Sequence, residues 1–494
     1  MTDLYDVIIV GGGPVGAALG IELGLNNIKT LVLEKYDNPL LSPRAQSLNE
    51  RSMELLMRWG LVEKMRESTL LPKDYPMRGV WCSKFNGVTY ATAGSQDQPN
   101  ADLAAEKPIR IPLYITENIL REKLTQFSCV TFLKNQAVES VTLQNDHVIV
   151  ATKTNQYVSK YVVGCDGANS ITRKSIGIEF KGLSPKRRVI NLLFQSEDLY
   201  NKITVEKGFI FYLLENSMVT VFGPVNLNEG IWYASIVYTG NEKNIDEIDI
   251  DTLIENIAGI QFHKKILNKH FWDMQIQLAE HYSNDNRIFL MGDAAHAFSP
   301  TGGFGLNTGI GDVTNLAWKL SAVIHKRSSE KILHTFEIER RPVALRNLQA
   351  AEKNAADAIA VRTQFPPDTM PEKFADENAR IAKQHVLAAG ITLGYCYNPN
   401  EPAMKQSEYI PTCKTGYFLP NKMINGKSIY EKLSPTHWTL IVCGKEKIKF
   451  QIDQLKIFHV PENMYSSRYI LIRPDWHIAI AENSISENEI IDYL

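Results

Sequence analysis

Three glycines and a carboxylate open the chain's chemistry. Gly11-Gly12-Gly13-Pro14-Val15-Gly16 fits the pattern Gly-x-Gly-x-x-Gly, between an apolar run from Asp6 to Val10 and a helical pattern from Ala17 to Leu25. In such a turn glycine lets the backbone approach a pyrophosphate, and the positive end of the following helix meets its charge. A second apolar strand from Lys29 leads to Glu34, 18 residues after Gly16, where a carboxylate can accept both hydroxyls of an adenosine ribose. A glycine-rich turn that only packs a helix closely on a sheet is the plain alternative, and Glu34 favours the dinucleotide site.

Two later segments have the same strand-turn-helix character. Asp166-Gly167-Ala168-Asn169-Ser170-Ile171-Thr172-Arg173 follows an apolar stretch at Tyr161 to Val163, and its plain reading is a surface turn. Gly292-Asp293-Ala294-Ala295-His296 leads to Pro300-Thr301-Gly302-Gly303-Phe304-Gly305-Leu306-Asn307. That many glycines before a helix favour close approach of backbone to a ligand. His296 reads as a packed, hydrogen-bonded histidine rather than a catalytic base.

These segments need elements to hold them. Helical spacing is predicted over Glu50 to Glu67, Thr116 to Phe127, Asp312 to Lys326 and Val343 to Val361. Strands are predicted at Val189 to Phe194, Phe209 to Leu214, Met218 to Val225 and Ile231 to Tyr238, making a mostly antiparallel, aromatic-rich sheet. A buried strand over Arg287 to Gly292 returns the chain to the first unit. The last hundred residues carry strand signals at Thr439 to Val442, Tyr469 to Arg473 and Ile478 to Ala481.

Composition excludes several classes. The 494 residues are 44% hydrophobic and 22% charged, with a formal net charge of −2. That describes a globular protein without the basic field that neutralises nucleic-acid phosphate, and no nucleic-acid partner is expected. The apolar stretch from Val7 to Leu25 holds six glycines, Pro14 and Glu22, so it reads as strand, turn and helix rather than a membrane span. The start Met1-Thr2-Asp3 lacks a basic leader, which makes the cytoplasm the expected location. Six dispersed cysteines form no Cys-x-x-Cys pair, and no metal-ligand spacing appears.

The three motifs, in this order, resemble the class A flavin monooxygenases related to para-hydroxybenzoate hydroxylase, phenol hydroxylase and the aromatic polyketide hydroxylases. The resemblance implies non-covalent FAD, with NADPH or NADH as reductant. It implies cofactor contacts from Gly11, Gly13, Pro14, Gly16 and Glu34, from Asp166, and from Gly292 and Asp293 at the ribityl chain. Pro300, Gly303, Gly305, Leu306 and Asn307 would lie against the isoalloxazine ring. Pro43-Arg44-Ala45 resembles the family segment whose arginine contacts FAD, and Glu339-Arg340-Arg341-Pro342 resembles its helix-opening signature. Leu113 stands where the family often has glutamine, with Arg121 as a substitute.

The implied fold class is α/β: a Rossmann-like FAD-binding domain (1–80, 105–185 and 280–345) interleaved with a mostly antiparallel substrate domain (81–104 and 186–279). A helical connection (346–399) and a small thioredoxin-like α/β domain (400–494) complete it. Within the substrate sheet Phe209, Phe211, Tyr212, Phe222, Trp232 and Tyr233 are candidate lining, about half of them facing a core because strand side chains alternate. The implied activity is hydroxylation of an aromatic or polyketide-like small molecule through a flavin hydroperoxide. An NAD(P)H oxidase or a non-catalytic FAD-binding protein is the alternative. No membrane partner is expected, and a homodimer is compatible with the C-terminal extension.

Overall fold

A computed structural model describes residues 4–41, 46–94, 103–183, 188–215, 218–448 and 450–493. Its central sheet follows from runs of aliphatic residues buried on both faces. Leu4–Val10, Thr30–Leu33 and Ile288–Leu290 are almost wholly apolar, as strands covered on both sides must be. Leu4–Val10 pairs in parallel with Thr30–Leu33 on one side and Gln156–Gly164 on the other. Val130–Leu133 extends the sheet beyond Thr30–Leu33, and Ile288–Leu290 extends it beyond Gln156–Gly164. The helix Pro14–Leu25 leaves the first strand towards the second, whereas the neighbour on the other side arrives from much later in the chain. Strand order therefore reverses beside Leu4–Val10, and a crevice opens at the carboxyl ends of these strands.

A seven-stranded sheet stands apart from it, in the order Lys265–Asp273, Arg188–Gln195, Ile231–Tyr238, Met218–Asn226, Ile210–Glu215, Arg78–Cys82, Thr89–Gly94. All neighbours are antiparallel except Ile210–Glu215 with Arg78–Cys82. One face packs on the helix Ile250–Ala258 through Ile190, Phe211, Phe222, Trp232 and Ile254. A four-stranded sheet near the C-terminus, ordered Leu455–Val460, Trp438–Cys443, Tyr469–Ile472, Ile478–Glu482, has its first pair parallel and the rest antiparallel. That arrangement is thioredoxin-like. Its Cys443 and nearby Cys413 are free thiols, and burial pushes Cys413 up to about 12, which leaves it protonated and inert.

Helix boundaries moved where local chemistry competes. The stretch Glu50 to Glu67 is two helices, Glu50–Met57 and Val62–Glu67, because Gly60 takes the left-handed conformation between them. Pro342 does not open a helix but lies inside Lys331–Gln364, a helix of 34 residues. The missing Pro342 amide leaves the carbonyl of the exposed Ile338 to solvent, so the break costs little there. The helix Pro371–Val386 lies within the segment 346–399.

Candidate functional site

The glycine turn closes the carboxyl end of Leu4–Val10. Gly11 donates its amide to the Leu33 carbonyl at 2.8 Å, and the Cys165 amide reaches the Val10 carbonyl at 2.8 Å, so the first and second motifs sit side by side. A Cβ on Gly16 would stand 1.9 Å from the Gly11 oxygen, which restricts that position to glycine. Gly13 caps the helix Pro14–Leu25 without a side-chain bond, and a Cβ there would meet nothing within 4 Å. The mouth of the loop is thus open in front of first-turn amides that have no acceptor within the helix.

Glu34 holds this loop from below. Its Oε2 accepts the Gly12 amide at 2.7 Å, and its Oε1 accepts the Tyr36 amide at 2.8 Å. Arg121 donates from Nε to the Gly12 carbonyl at 2.8 Å and pairs with Glu117 at 2.5 Å and Glu34 at 3.5 Å. Its Nη1 is buried without a partner beside the glycine loop. Leu113 begins the same helix, Leu113–Leu124, and is buried.

Asp166 spends its oxygens on its own turn. Oδ1 accepts the Ser170 hydroxyl at 2.5 Å, and Oδ2 accepts the Thr172 amide at 3.0 Å, while Ser170 caps the helix Ile171–Ser175. Asp166 therefore sets the shape of the loop that abuts Gly11.

The third motif closes the crevice. Gly292 and Asp293 lie on a single 3₁₀ turn after Ile288–Leu290, Gly292 buried and Asp293 exposed. Asp312, from the helix Phe304–Ile324, accepts the Gly292 amide at 3.3 Å, His296 Nε2–H at 2.7 Å and Arg340 Nε–H at 2.8 Å. Burial would raise this carboxyl, but the Arg340 and His296 charges outweigh it and hold it below its ordinary value. His296 is fully buried and acts as a structural partner in this cluster. Pro300 and Gly303 lead into the same helix, and Gly305 and Leu306 stand in its first turn. Gly303 caps it at φ +65, a left-handed conformation suited to glycine, with open space where a Cβ would stand.

Asn307 links that helix to the segment at 46–49. Its Oδ1 accepts the Asn49 amide at 3.0 Å and the Ser52 hydroxyl at 2.6 Å, and its Nδ2 donates to the Ser47 carbonyl at 3.2 Å. Arg44 lies outside the described residues, just before this anchored stretch.

Six aromatic residues of the large sheet divide by face. Phe211, Phe222 and Trp232 belong to the core with the helix Ile250–Ala258. Phe209 and Tyr233 turn the other way, both under the guanidinium of Arg110 at 4.7 and 5.5 Å, and Tyr212 stacks on Trp81 at 4.6 Å. Arg110 was not singled out by the sequence, because the two-residue strand Ile109–Arg110 has no periodicity to announce it. Asp312 was missed as well, although a carboxylate among the apolar residues of a helix was a usable signal.

The residues present fit an anionic dinucleotide: an open glycine turn, a helix start, a buried unpaired Arg121 Nη1 and a carboxylate at the second strand. Among the described residues no cluster of His, Cys, Asp and Glu could hold a metal, and no helix is long and apolar enough to cross a membrane.

Comparison with known proteins places this arrangement in context. The profile of the FAD binding domain family matches residues 4–351. Rifampicin monooxygenase of Streptomyces venezuelae is 33% identical over 491 residues, covering 97% of this chain and 96% of that protein. 2,4-Dichlorophenol 6-monooxygenase of Delftia acidovorans is 28% identical over 444 residues, covering 81% and 73%. The rebeccamycin biosynthetic enzyme RebC, solved with reduced flavin, superposes with a TM-score of 0.86 at 25% identity, covering 99% and 98%.

Proposed function

The chain belongs to the FAD binding domain family and is an enzyme of the flavin-dependent monooxygenase class, and from that premise we propose that it hydroxylates an aromatic or polyketide-like small molecule at the expense of NAD(P)H. One atom of dioxygen enters the ring, the other leaves as water, and NAD(P)H supplies two electrons. FAD, when bound, would supply the redox chemistry that couples NAD(P)H oxidation to the activation of dioxygen.

The chain's own residues bind, orient and exclude water. Gly11, Gly13, Pro14 and Gly16 receive the pyrophosphate, and Glu34 takes the ribose while keeping the Gly12 amide. Arg121 Nη1 adds a donor at the same loop. Asp166 shapes the neighbouring turn, and Gly292 and Asp293 take the ribityl chain. Pro300, Gly303, Gly305, Leu306 and Asn307 back the ring system, and Arg44 is a further residue assigned to FAD. The outward face of the seven-stranded sheet covers the substrate, and the C-terminal unit packs against the first without redox chemistry.

The single observation that supports this reading most is the convergence of three separate loops, at residues 11–16, 165–172 and 292–307, around the crevice where strand order reverses. The relatives named for rifampicin and dichlorophenol support an electron-rich aromatic substrate. The test is to purify the protein, extract and identify its flavin, and follow NAD(P)H oxidation with phenols, anthraquinones and tetracyclic compounds. Bound FAD with ligand-stimulated oxidation is expected. A colourless protein that takes up no FAD would overturn the reading.

A further inference from the structure

Arg110 is buried, 7% exposed, in a place where a cation needs a reason. Among the described residues its one side-chain hydrogen bond runs from Nη2 to the Gln46 Oε1 at 2.8 Å, and its Nε is buried with no partner. Among the described residues no carboxylate pairs with it. Aromatic groups surround it instead: the Phe209 and Tyr233 rings lie under the guanidinium, and Tyr75 and Tyr212 stand within reach of its charge. Burial pushes the phenols of Tyr75 and Tyr212 up, the neighbouring tyrosines add to this, and Arg110 opposes it, so both stay neutral. Among the described residues no anion in this wall neutralises the arginine.

Its position connects it to the cofactor side. Arg110 pairs across a short antiparallel ladder with Ser47, and Ser47 is the residue whose carbonyl takes Asn307 Nδ2–H. Arg110 is therefore one strand away from the start of the helix Phe304–Ile324, between that helix and the outward face of the substrate sheet. The Arg110 backbone is fixed as well, because the next amide, Ile111, donates to Gln46 at 3.0 Å.

We propose that Arg110 is the specificity-determining residue of the substrate site, and that it binds an ionised oxygen on the aromatic substrate, a phenolate or the enolate of a vinylogous acid. Its unpaired guanidinium supplies the counter-charge, while Phe209 and Tyr233 supply flat apolar surface for the ring that carries the oxygen. Holding the oxygen as an anion also makes the ring more electron-rich, which suits attack by an electrophilic oxygen. The inference rests on the monooxygenase reading above, and it fails separately from it.

The test uses the FAD-loaded enzyme and equilibrium binding of 2,4-dichlorophenol and of its methyl ether, which has the same ring but cannot ionise. The wild type is expected to bind the phenol more tightly than the ether, with the difference growing as pH rises through the phenol's own pKa. Arg110→Met should abolish that preference, a loss of roughly 10- to 100-fold as expected for a charge-assisted contact, with ether binding and FAD content unchanged. Arg110→Lys should restore part of it. If Arg110→Met fails to retain FAD, the pH dependence in the wild type decides alone. An enzyme that binds FAD and oxidises NAD(P)H but prefers the ether, binds neither probe, or keeps its phenol preference in Arg110→Met would overturn the proposal and leave the monooxygenase reading intact. A protein that binds no FAD would defeat both.

Discussion

Asp312 accepts Arg340 Nε–H at 2.8 Å with both side chains shut away from solvent. The pair joins three pieces of chain, since Asp312 also holds Gly292 and His296 while Arg340 reaches the Thr308 carbonyl and the Tyr397 hydroxyl. Asp312→Ala would leave a buried guanidinium unpaired, which costs about 3 to 5 kcal/mol. Urea unfolding should show a midpoint shifted strongly downward. An unchanged midpoint would mean that the cluster relaxes without cost.

Glu34→Gln tests the adenosine end. The substitution keeps the length of the side chain but removes the charge that holds the Gly12 and Tyr36 amides. Charge-assisted hydrogen bonds contribute about 1.5 to 3 kcal/mol each, so FAD affinity should fall at least about tenfold when apoprotein is titrated and flavin fluorescence followed. Equal affinity would remove Glu34 from the cofactor site.

Gly16→Ala should be more damaging than its size suggests. The new methyl would stand 1.9 Å from the Gly11 oxygen, so the turn must open. The variant is expected to fold with little or no bound flavin, or to accumulate as insoluble protein. A soluble variant with full flavin content would show that the turn tolerates displacement.

Acid should loosen the contact between the C-terminal unit and the rest. Glu339 receives both terminal nitrogens of Arg473, at 2.6 and 2.9 Å, and Lys319 Nζ at 2.6 Å. Burial would raise Glu339, but the Arg473 and Lys319 charges outweigh it and hold it far below its ordinary 4.5. The unfolded chain therefore takes up the proton first, so this stabilisation is complete above about pH 4.5 and is lost as pH falls below it. Melting temperatures should decline more steeply there in the wild type than in Glu339→Gln. Parallel declines would exclude Glu339 as a source of the acid limb.

Much of this was legible in residue order because the signals were local. Gly11 to Gly16, Glu34 and the aliphatic strands each mark an element without help from distant chain, and Ile231–Tyr238 was read to its exact ends. Alternation separated Phe211 from Tyr212 and Trp232 from Tyr233 in principle, but only the position of the helix Ile250–Ala258 says which face is the core. Arg110, Gln46 and Asn307 become one assembly only after the strands Ser47–Leu48 and Ile109–Arg110 pair and the helix Phe304–Ile324 brings Asn307 to Ser47, and two-residue strands carry no period. Pro342 misled because the resemblance of Glu339-Arg340-Arg341-Pro342 to a helix-opening signature does not hold here, where Pro342 lies inside a 34-residue helix.

The central claim is that electrons from NAD(P)H and one atom of dioxygen reach an aromatic ligand at this crevice. The most direct measurement is turnover under isotopic dioxygen with a ligand that accelerates anaerobic flavin reduction, followed by mass analysis of the product. The account predicts one labelled oxygen per product molecule and one NAD(P)H consumed for each. A product whose added oxygen comes from water, or ligand-independent NAD(P)H oxidation that yields only hydrogen peroxide, would contradict it.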